Sequence, residues 1–522
     1  MNEINWPKLD SEHLIVYSEQ MLNLENDIFS KGMPMESLME KVGIEISNWL
    51  LKRKELLKNG VVVAIGPGHN GGDGAIIARE LFLKGVLVTV WCPFPIKKTI
   101  TARHLNYITS IGVQNSKEIP DPKKNNLWID AIFGNNQKRS LNNEPIEIFN
   151  KKFEGNFGKI VSIDIPTGLC PNTGEIFGEK AVKANYTIAI GLKKVGILQD
   201  TAMPYVGNVV HLNIGLTCNQ ISKISKKILC ITPKDIHGIK FSMPLNNVSK
   251  HSRGRTLLIA GSNKYLGSAS LVIKGALSSG VGFINAFLPE TVAKSIWQVA
   301  PEIVVDCCMK NSPKGDSLIH DSLKETNLSK FDSIVLGPGI GIDVADWENS
   351  LEYLLEYRGL LILDADALNR IARSELGYKF FLKRKFKTWI TPHKKEFERL
   401  FPDMKAINDI ELATNTANQN KIGVLLKGAN SIIADEKGFA WQIHGSDPSS
   451  ARAGFGDLLS GFVGGMSAIE LASGLDITTE SFAKYVFLHS YAALKTKKGS
   501  SAITIGDKLS KIIRQLKPGQ MS

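Results

Sequence analysis

Cysteine is scarce in this chain, six in 522 residues, and no two form a C-x-x-C pair; Cys307 and Cys308 are adjacent and the rest are scattered. That pattern argues against a disulfide framework and fits reduced thiols in the cytosol. Charge of one sign never accumulates. Lys and Arg number 63 against 51 Asp and Glu, a net +12, yet no five like charges run together. The surplus reads as a solvated surface, or as attraction for a polyphosphate ligand. Nucleic acid is not an expected partner, because basic and aromatic residues are not clustered. Long apolar runs are missing too: the least polar stretch, Ala269 to Pro289, is broken by Lys274, Asn285 and glycines, so no membrane span is expected. The opening MNEINWPKLDSEH has neither a basic nor an apolar leader segment, and a cytoplasmic protein is expected.

What is present is core material. Hydrophobic residues make up 43% of the chain, and 522 residues exceed one ordinary core, so two to four domains are expected. Short β-branched runs alternate with helix-length amphipathic segments, the pattern of parallel sheets sandwiched by helices. Strands are predicted at Val61–Ile65, Leu87–Trp91, Leu127–Phe133, Ile160–Ile163 and Tyr186–Ile190. A second series runs Thr256–Ala260, Phe283–Phe287, Ser333–Leu336, Leu360–Leu363, Thr388–Ile390 and Gly423–Leu426. Between the two lies a weakly patterned stretch, Asn219 to Arg255, and the domain boundary is placed early in it: 1–224 and 225–522.

In the first half, VVVAIGPGHNGGDGAIIARELFLKG reads as a strand, a glycine-rich turn from Gly66 to Gly74, and a helix opening near Asp73. Such a turn brings backbone amides close to a phosphate, and the helix N-terminus adds positive potential. It is neither a Walker A loop nor G-x-G-x-x-G, and a plain structural turn is the competing reading. WIDAIFG carries Asp130, and VSIDIPTG carries Asp164 and Thr167, at two further strand ends. Ligands of open α/β sheets sit beyond carboxyl strand ends, so the three segments read as one site; singly, each Asp reads as a cap.

The ordered set YSEQM…LEND…KGMPMESLMEKVG, GPGHNGGDG, DAIFG and SIDIPTG resembles the YjeF N-terminal family over about residues 15–215. The resemblance implies an epimerase of NAD(P)H hydrate on a Rossmann-like α/β/α sandwich. It implies that His69, Asn70, Gly71, Gly72 and Asp73 contact the hydrated dinucleotide. Asn70, Asp130 and Thr167 would hold potassium, suitable work for hard oxygen ligands. Gly134, Asn135, Asn136, Gln137, Lys138, Arg139 and Ser140 would wrap the substrate. Asp164 would sit against the altered ring and act as its acid–base catalyst. The chain departs from the family at His69, usually Asn, and at NNQKRS, where a Thr-Gly pair is typical.

The second half carries RTLLIAGSNKYLGSASLVIKGALSSG, SIVLGPGIG, LLILDADALN, TWITPHKKEFERL, VLLKGANSII and ARAGFGDLLSGFVGG. The last places free backbone amides and the Asp457 carboxylate together at a helix start, which suits phosphoryl transfer and activation of an oxygen nucleophile. An Asp capping a helix that packs through Gly461, Gly464 and Gly465 is the other reading.

In order, these segments resemble the ribokinase-like superfamily and, within it, the YjeF C-terminal family of ADP- or ATP-dependent NAD(P)H-hydrate dehydratases, from about residue 230 onward. The resemblance implies a second α/β/α sandwich in which Lys427, Gly428, Ala429, Asn430, Ser431 and Gly456 bind the adenine nucleotide. The hydrate would meet Ser268 or Ala269, Gly339, Gly341, His393 and Asp457. A capping or packing histidine after Pro392 is the other reading of His393. Asp364 and Asp366 read either as structural or as contacts to nucleotide-bound magnesium. Family members more often have Gly-Ala-Ala at 267–269 and Thr or Ser at 455.

The implied reaction transfers a phosphoryl group from ADP to the C6 oxygen of the S hydrate, Asp457 taking the proton. Loss of phosphate then restores NAD(P)H and leaves AMP, while the attached epimerase converts the R form to the S form. The expected partners are small molecules, the hydrates of NADH and NADPH and ADP, without nucleic acid or membrane, in a homo-oligomer. Two alternatives stand beside this: a kinase of a small alcohol with a non-catalytic first half, and a scaffold for protein or RNA.

Overall fold

The structure is a computed structural model that describes residues 5–138, 140, 143–225, 227–240, 250–445 and 452–516. It divides into two compact units, Leu9–Ile228, and Leu229–Ser522 together with Met1–Lys8. The opening segment goes with the second unit because Trp6 is buried there, tilted against Phe487 at 5.6 Å, with its indole N–H on the Asp235 carbonyl.

In Leu9–Ile228 the main sheet is ordered Gln114–Ser116, Val88–Trp91, Val61–Ile65, Leu127–Ala131, Ile160–Ile163, Tyr186–Ile190 and Asn208–Leu212, and all these strands are parallel. Every residue of Val61–Ile65 is buried, as a strand covered on both faces requires. Val63, Ile65 and Ala131 face helix His69–Leu83 across Gly74. Val62, Ala64 and Trp128 lie in the core with Phe149 of helix Glu144–Glu154, the Trp128 and Phe149 rings meeting edge to face at 5.0 Å. Val61–Ile65 pairs with Val88–Trp91 on one side and Leu127–Ala131 on the other, so chain order reverses there. That switch point opens a crevice at the strands' carboxyl ends.

The second unit's sheet runs Ser317–Leu318, Val304–Asn311, Phe283–Pro289, Arg255–Ile259, Ser333–Leu336, Leu360–Leu363, Thr388–Ile390, Gly423–Leu426, Ile432–Ala434 and Ala440–Ile443. It is parallel from Val304–Asn311 to Gly423–Leu426 and antiparallel beyond both ends. Its switch point lies at Arg255–Ile259. Helices Leu266–Ser279 and Phe455–Ala472 cross at touching distance: a Cβ on Gly461 would stand 1.8 Å from the Val272 carbonyl oxygen, and one on Gly275 2.0 Å from that of Leu458. The chain therefore folds as two α/β/α layers, Rossmann-like and ribokinase-like.

The eleven predicted strands all form, within two residues at each end. The sequence reading missed shorter or less apolar ones, among them Leu14–Val16, Lys193–Lys194, Val304–Asn311 and the hairpin strands Ile432–Ala434 and Ala440–Ile443. The weakly patterned stretch also holds strand Ile228–Ile231 and the helical turn Pro233–Gly238. Among the described residues, no helix is long and apolar enough to cross a membrane.

Candidate active sites

In the first unit the glycine-rich segment is mostly helix. The helix opens at His69, not near Asp73, so His69, Asn70, Gly71, Gly72 and Asp73 form its first turns and only Gly66–Gly68 is a turn. Packing overrides propensity. A Cβ on Gly66 would stand 1.8 Å from the Ile132 carbonyl oxygen, on Gly71 2.1 Å from that of Gly66, and on Gly72 2.5 Å from the Met39 sulfur. Glycine costs a helix about 1 kcal/mol per residue, less than these clashes.

This turn borders a cavity of about 350 Å³ that Glu25, His69, Asn70, Asp73, Asp164 and Lys194 help to line. Asp164 follows strand Ile160–Ile163 with φ +67°, a backbone region non-glycine residues rarely adopt. Its Oδ2 accepts from the Asn135 backbone N–H at 2.9 Å, and its Oδ1 lies 2.5 Å from Lys194 Nζ. Two other acids face it. Burial first, then the charges of Asp164 and Glu25, hold the Asp73 carboxyl well above the usual range. Glu25 is also raised, by burial and Asp164, against the pull of Lys194. Burial lowers His69, and Lys98 lowers it further.

Beneath the cavity Asp130 is fully buried. Its carboxylate accepts from Thr167 Oγ1 at 2.7 Å, Thr167 N at 2.9 Å, Ser162 Oγ at 2.9 Å and Ile132 N at 3.3 Å. Burial raises its pKa against those hydrogen bonds. Asn70 Nδ2 donates to the Ile163 carbonyl at 3.4 Å. Its Oδ1 and Asp164 Oδ2 lie 3.2 and 3.1 Å from where a Gly134 Cβ would stand, so a side chain there would press on both.

In the second unit four segments meet at the strands' carboxyl ends. Gly454, with φ +82°, starts helix Phe455–Ala472 and sets Asp457 in its first turn. Asp457 is pushed up to about 6 by burial and by Asp364, while a hydrogen bond from Ser268 and the charge of Lys427 pull it down. Asp364, 1% exposed, accepts from Lys427 Nζ at 2.6 Å and Ser460 Oγ at 2.5 Å. Burial opposes the Lys427 charge, but Asp364, Glu396 and Asp457 outweigh it and leave that ammonium's pKa raised. Gly339, φ +68°, brings its turn against Ser268: a Cβ would stand 2.6 Å from the Ser268 Cβ.

Family models match both halves: one described as YjeF-related protein N-terminus covers residues 35–196, and one described as NAD(P)H-hydrate dehydratase covers residues 256–515. The bifunctional NAD(P)H-hydrate repair enzyme Nnr of Gloeobacter violaceus is 35% identical over 87% of this chain and 89% of its own. That of Synechocystis is 35% identical over 87% and 86%. The chain belongs to the bifunctional NAD(P)H-hydrate repair enzymes. A solved ADP/ATP-dependent NAD(P)H-hydrate dehydratase from Bacillus subtilis, co-crystallised with ATP and Mg2+, is also similar, at 23% identity over 55% of this chain and 97% of its own, with a TM-score of 0.45.

This repair enzyme thus carries an epimerase half and a dehydratase half. In the epimerase half His69, Asn70, Asp73, Gly134, Asn135, Asn136, Gln137 and Asp164 share the cavity lining. Gly71 and Gly72 are buried under it, and Gln137 also accepts from the Gly168 N–H. Lys138 and Ser140 do not line the cavity, and Arg139 lies outside the described residues. Thr167 bonds Asp130, while Asn70 stands at the next strand end.

In the dehydratase half Ser268, Gly339 and Asp457 converge, whereas Ala269 is buried against Gly261. Gly341 sits one step away, its N–H on Asp366 at 2.9 Å and its Cα beside Asp316. His393 caps helix Lys394–Leu400: its Nδ1 accepts the Glu396 N–H at 3.2 Å. Gly428, Ala429, Asn430 and Ser431 form the turn between strands Gly423–Leu426 and Ile432–Ala434, with Gly456 against Lys427 Nζ.

The sequence reading assigned no role to Lys194, Glu25, Glu396 or Ser460. Lys194 had a signal, a lysine amid the apolar run GLKKVGIL just after a strand. Glu396 stood inside the quoted TPHKKE.

Proposed function

We propose that Leu9–Ile228 interconverts the R and S hydrates of NADH and NADPH, and that Leu229–Ser522 dehydrates the S form with ADP as phosphoryl donor, releasing AMP and phosphate. The observation that carries the dehydratase reading is the partly buried Asp457 at the start of an 18-residue helix, beside Ser268 and under the charge of Lys427. An acid raised to about 6 is ionised yet basic at neutral pH, as a general base should be. Asp457 takes the C6 hydroxyl proton, the oxygen attacks the terminal phosphorus of ADP, and AMP departs. The amides of Gly454–Gly456 receive the developing charge on the phosphoryl oxygens. Loss of phosphate and a C5 proton restores the dihydropyridine.

At the epimerase site C6 is a hemiaminal carbon. The Asp164 carboxylate takes the hydroxyl proton as the O–H pair becomes C6=O. The C6–N1 bond breaks, its pair stays on N1, and N1 takes a proton from Asp73, whose burial favours the protonated carboxyl. Rotation about C5–C6 and the reverse steps close the ring on the other face. Atoms and electrons balance without a co-reactant.

Asn70, Asp130 and Thr167 would hold a potassium ion. Asp130 is a fully buried carboxylate whose partners are hydrogen-bond donors only, and among the described residues no lysine or arginine pairs with it. Such a carboxylate calls for a cation, and the ion would supply that charge beneath the substrate. Magnesium would accompany ADP near Asp364, Asp366 and Glu396, neutralising phosphate charge. The epimerase domain, expected over 1–224, is taken as the compact unit Leu9–Ile228, and the dehydratase domain, expected over 225–522, as Leu229–Ser522 with Met1–Lys8; a cytosolic homo-oligomer is proposed, and the six thiols are free.

The test incubates the protein with mixed hydrate epimers, with and without ADP, and follows NADH absorbance. Both epimers should be recovered with ADP and potassium, and only the S form at speed when potassium is withheld. Recovery of S alone under every condition would refute the epimerase reading; a stable phosphorylated product would favour the kinase alternative.

A further inference from the structure

Three carboxyl groups and one ammonium share the floor of the first unit's cavity: Glu25 from helix Ser18–Ser30, Asp73 from helix His69–Leu83, Asp164, and Lys194 from the short strand Lys193–Lys194. Lys194 is 1% exposed; its Nζ reaches Asp164 Oδ1 at 2.5 Å and the Ile190 carbonyl at 2.9 Å. Strand pairing fixes its backbone, Val16 standing opposite Lys194 in parallel register with strand Leu14–Val16.

A buried ion pair adds little stability over apolar residues of the same volume, so stability alone does not account for one facing a cavity. What it does is place charge. With Oδ1 held by Lys194 and Oδ2 held by the Asn135 N–H, the carboxylate cannot rotate about its Cβ–Cγ bond, and one oxygen edge stays turned to the cavity. The φ of +67° at Asp164 is a backbone conformation that non-glycine residues rarely adopt and that clusters at functional sites. No other ammonium among the described residues pairs with Asp164.

We propose that Lys194 is a positioning residue for epimerisation, which holds the Asp164 carboxylate in place as the base beside Glu25 and Asp73. This rests on the epimerase reading above. Lys194 itself transfers no proton: the hydroxyl proton moves to Asp164 and back, and the N1 proton comes from Asp73 and returns to it.

The test compares Lys194→Gln and Lys194→Arg in the full chain, reading kcat and KM for R-to-S interconversion, with S-hydrate dehydration and thermal unfolding as controls for the fold. Gln removes the charge; the expected result is a kcat lower by on the order of 100-fold, with KM within about threefold. Arg keeps a cation in place and should retain kcat within about tenfold. A folded Gln variant with wild-type kcat, or one in which only KM rises, overturns the proposal. So does a folded Arg variant as inactive as the Gln variant, which also decides the matter should Gln not fold. Failure of the wild-type chain to interconvert the epimers at all would instead strike the epimerase reading, and is seen before any variant is made.

Discussion

At the residue scale Asp457 couples activity to stability. Its pKa is about 6 in the folded chain, against 3.8 for an ordinary Asp. Between those values the native state holds a proton the unfolded chain has released, so stability falls as pH rises from about 4 to about 6 and stays lower above that. Asp457→Asn does not titrate. It should abolish dehydration by on the order of 10²–10⁴-fold and still raise the melting temperature at pH 8. Calorimetry and an NADH-recovery assay read the two effects; a lower melting temperature at pH 8 would contradict the burial argument. In the wild type, kcat/KM for dehydration should fall about tenfold per unit below pH 6 and level off above it, as expected for a base in the free enzyme. Asp457 and Asp164 were legible as candidates because one follows a glycine-rich turn and the other follows a strand. Lys194 was not, because nothing in a local string says which distant carboxylate a lysine will meet.

At the element scale the glycines of helix Phe455–Ala472 divide into two jobs. Gly454 takes the left-handed conformation that starts the helix at the site, and Gly461 lets helix Leu266–Ser279 approach. Gly461→Ala would put a methyl group 1.8 Å from the Val272 carbonyl oxygen. It should cost about 1–3 kcal/mol or more in chemical denaturation and displace Ser268 from Asp457. A fully stable, fully active variant would show that the helices yield without strain. The same logic explains the helix start misread at Asp73. A run of glycines from Gly66 to Gly74 looks like a loop locally, and only the strand and helix packed against it turn most of it into helix. Long, β-branched strands were readable because both faces are buried. The polar Val304–Asn311 and the two-residue Lys193–Lys194 are strands only because a neighbour pairs with them.

At the scale of the whole molecule, two sites on two units imply separable chemistry. Asp164→Asn should lose R-to-S interconversion and keep dehydration of the S hydrate; Asp457→Asn should do the reverse. A mixture of the two variants should then recover NADH from R hydrate with ADP, because the S hydrate can diffuse between molecules. No recovery from the mixture, with each variant active in its own half-reaction, would mean that the intermediate must pass within one chain.

Read alone, the amino-acid sequence already determined the two α/β layers, their order and the acidic residues at strand ends, because alternating apolar runs and glycine corners act over a few neighbouring residues. Only the tertiary structure decided which charges those acids meet. That depends on burial and on charges brought in from far along the chain: Lys194 against Asp164, and Lys427 between Asp364 and Asp457.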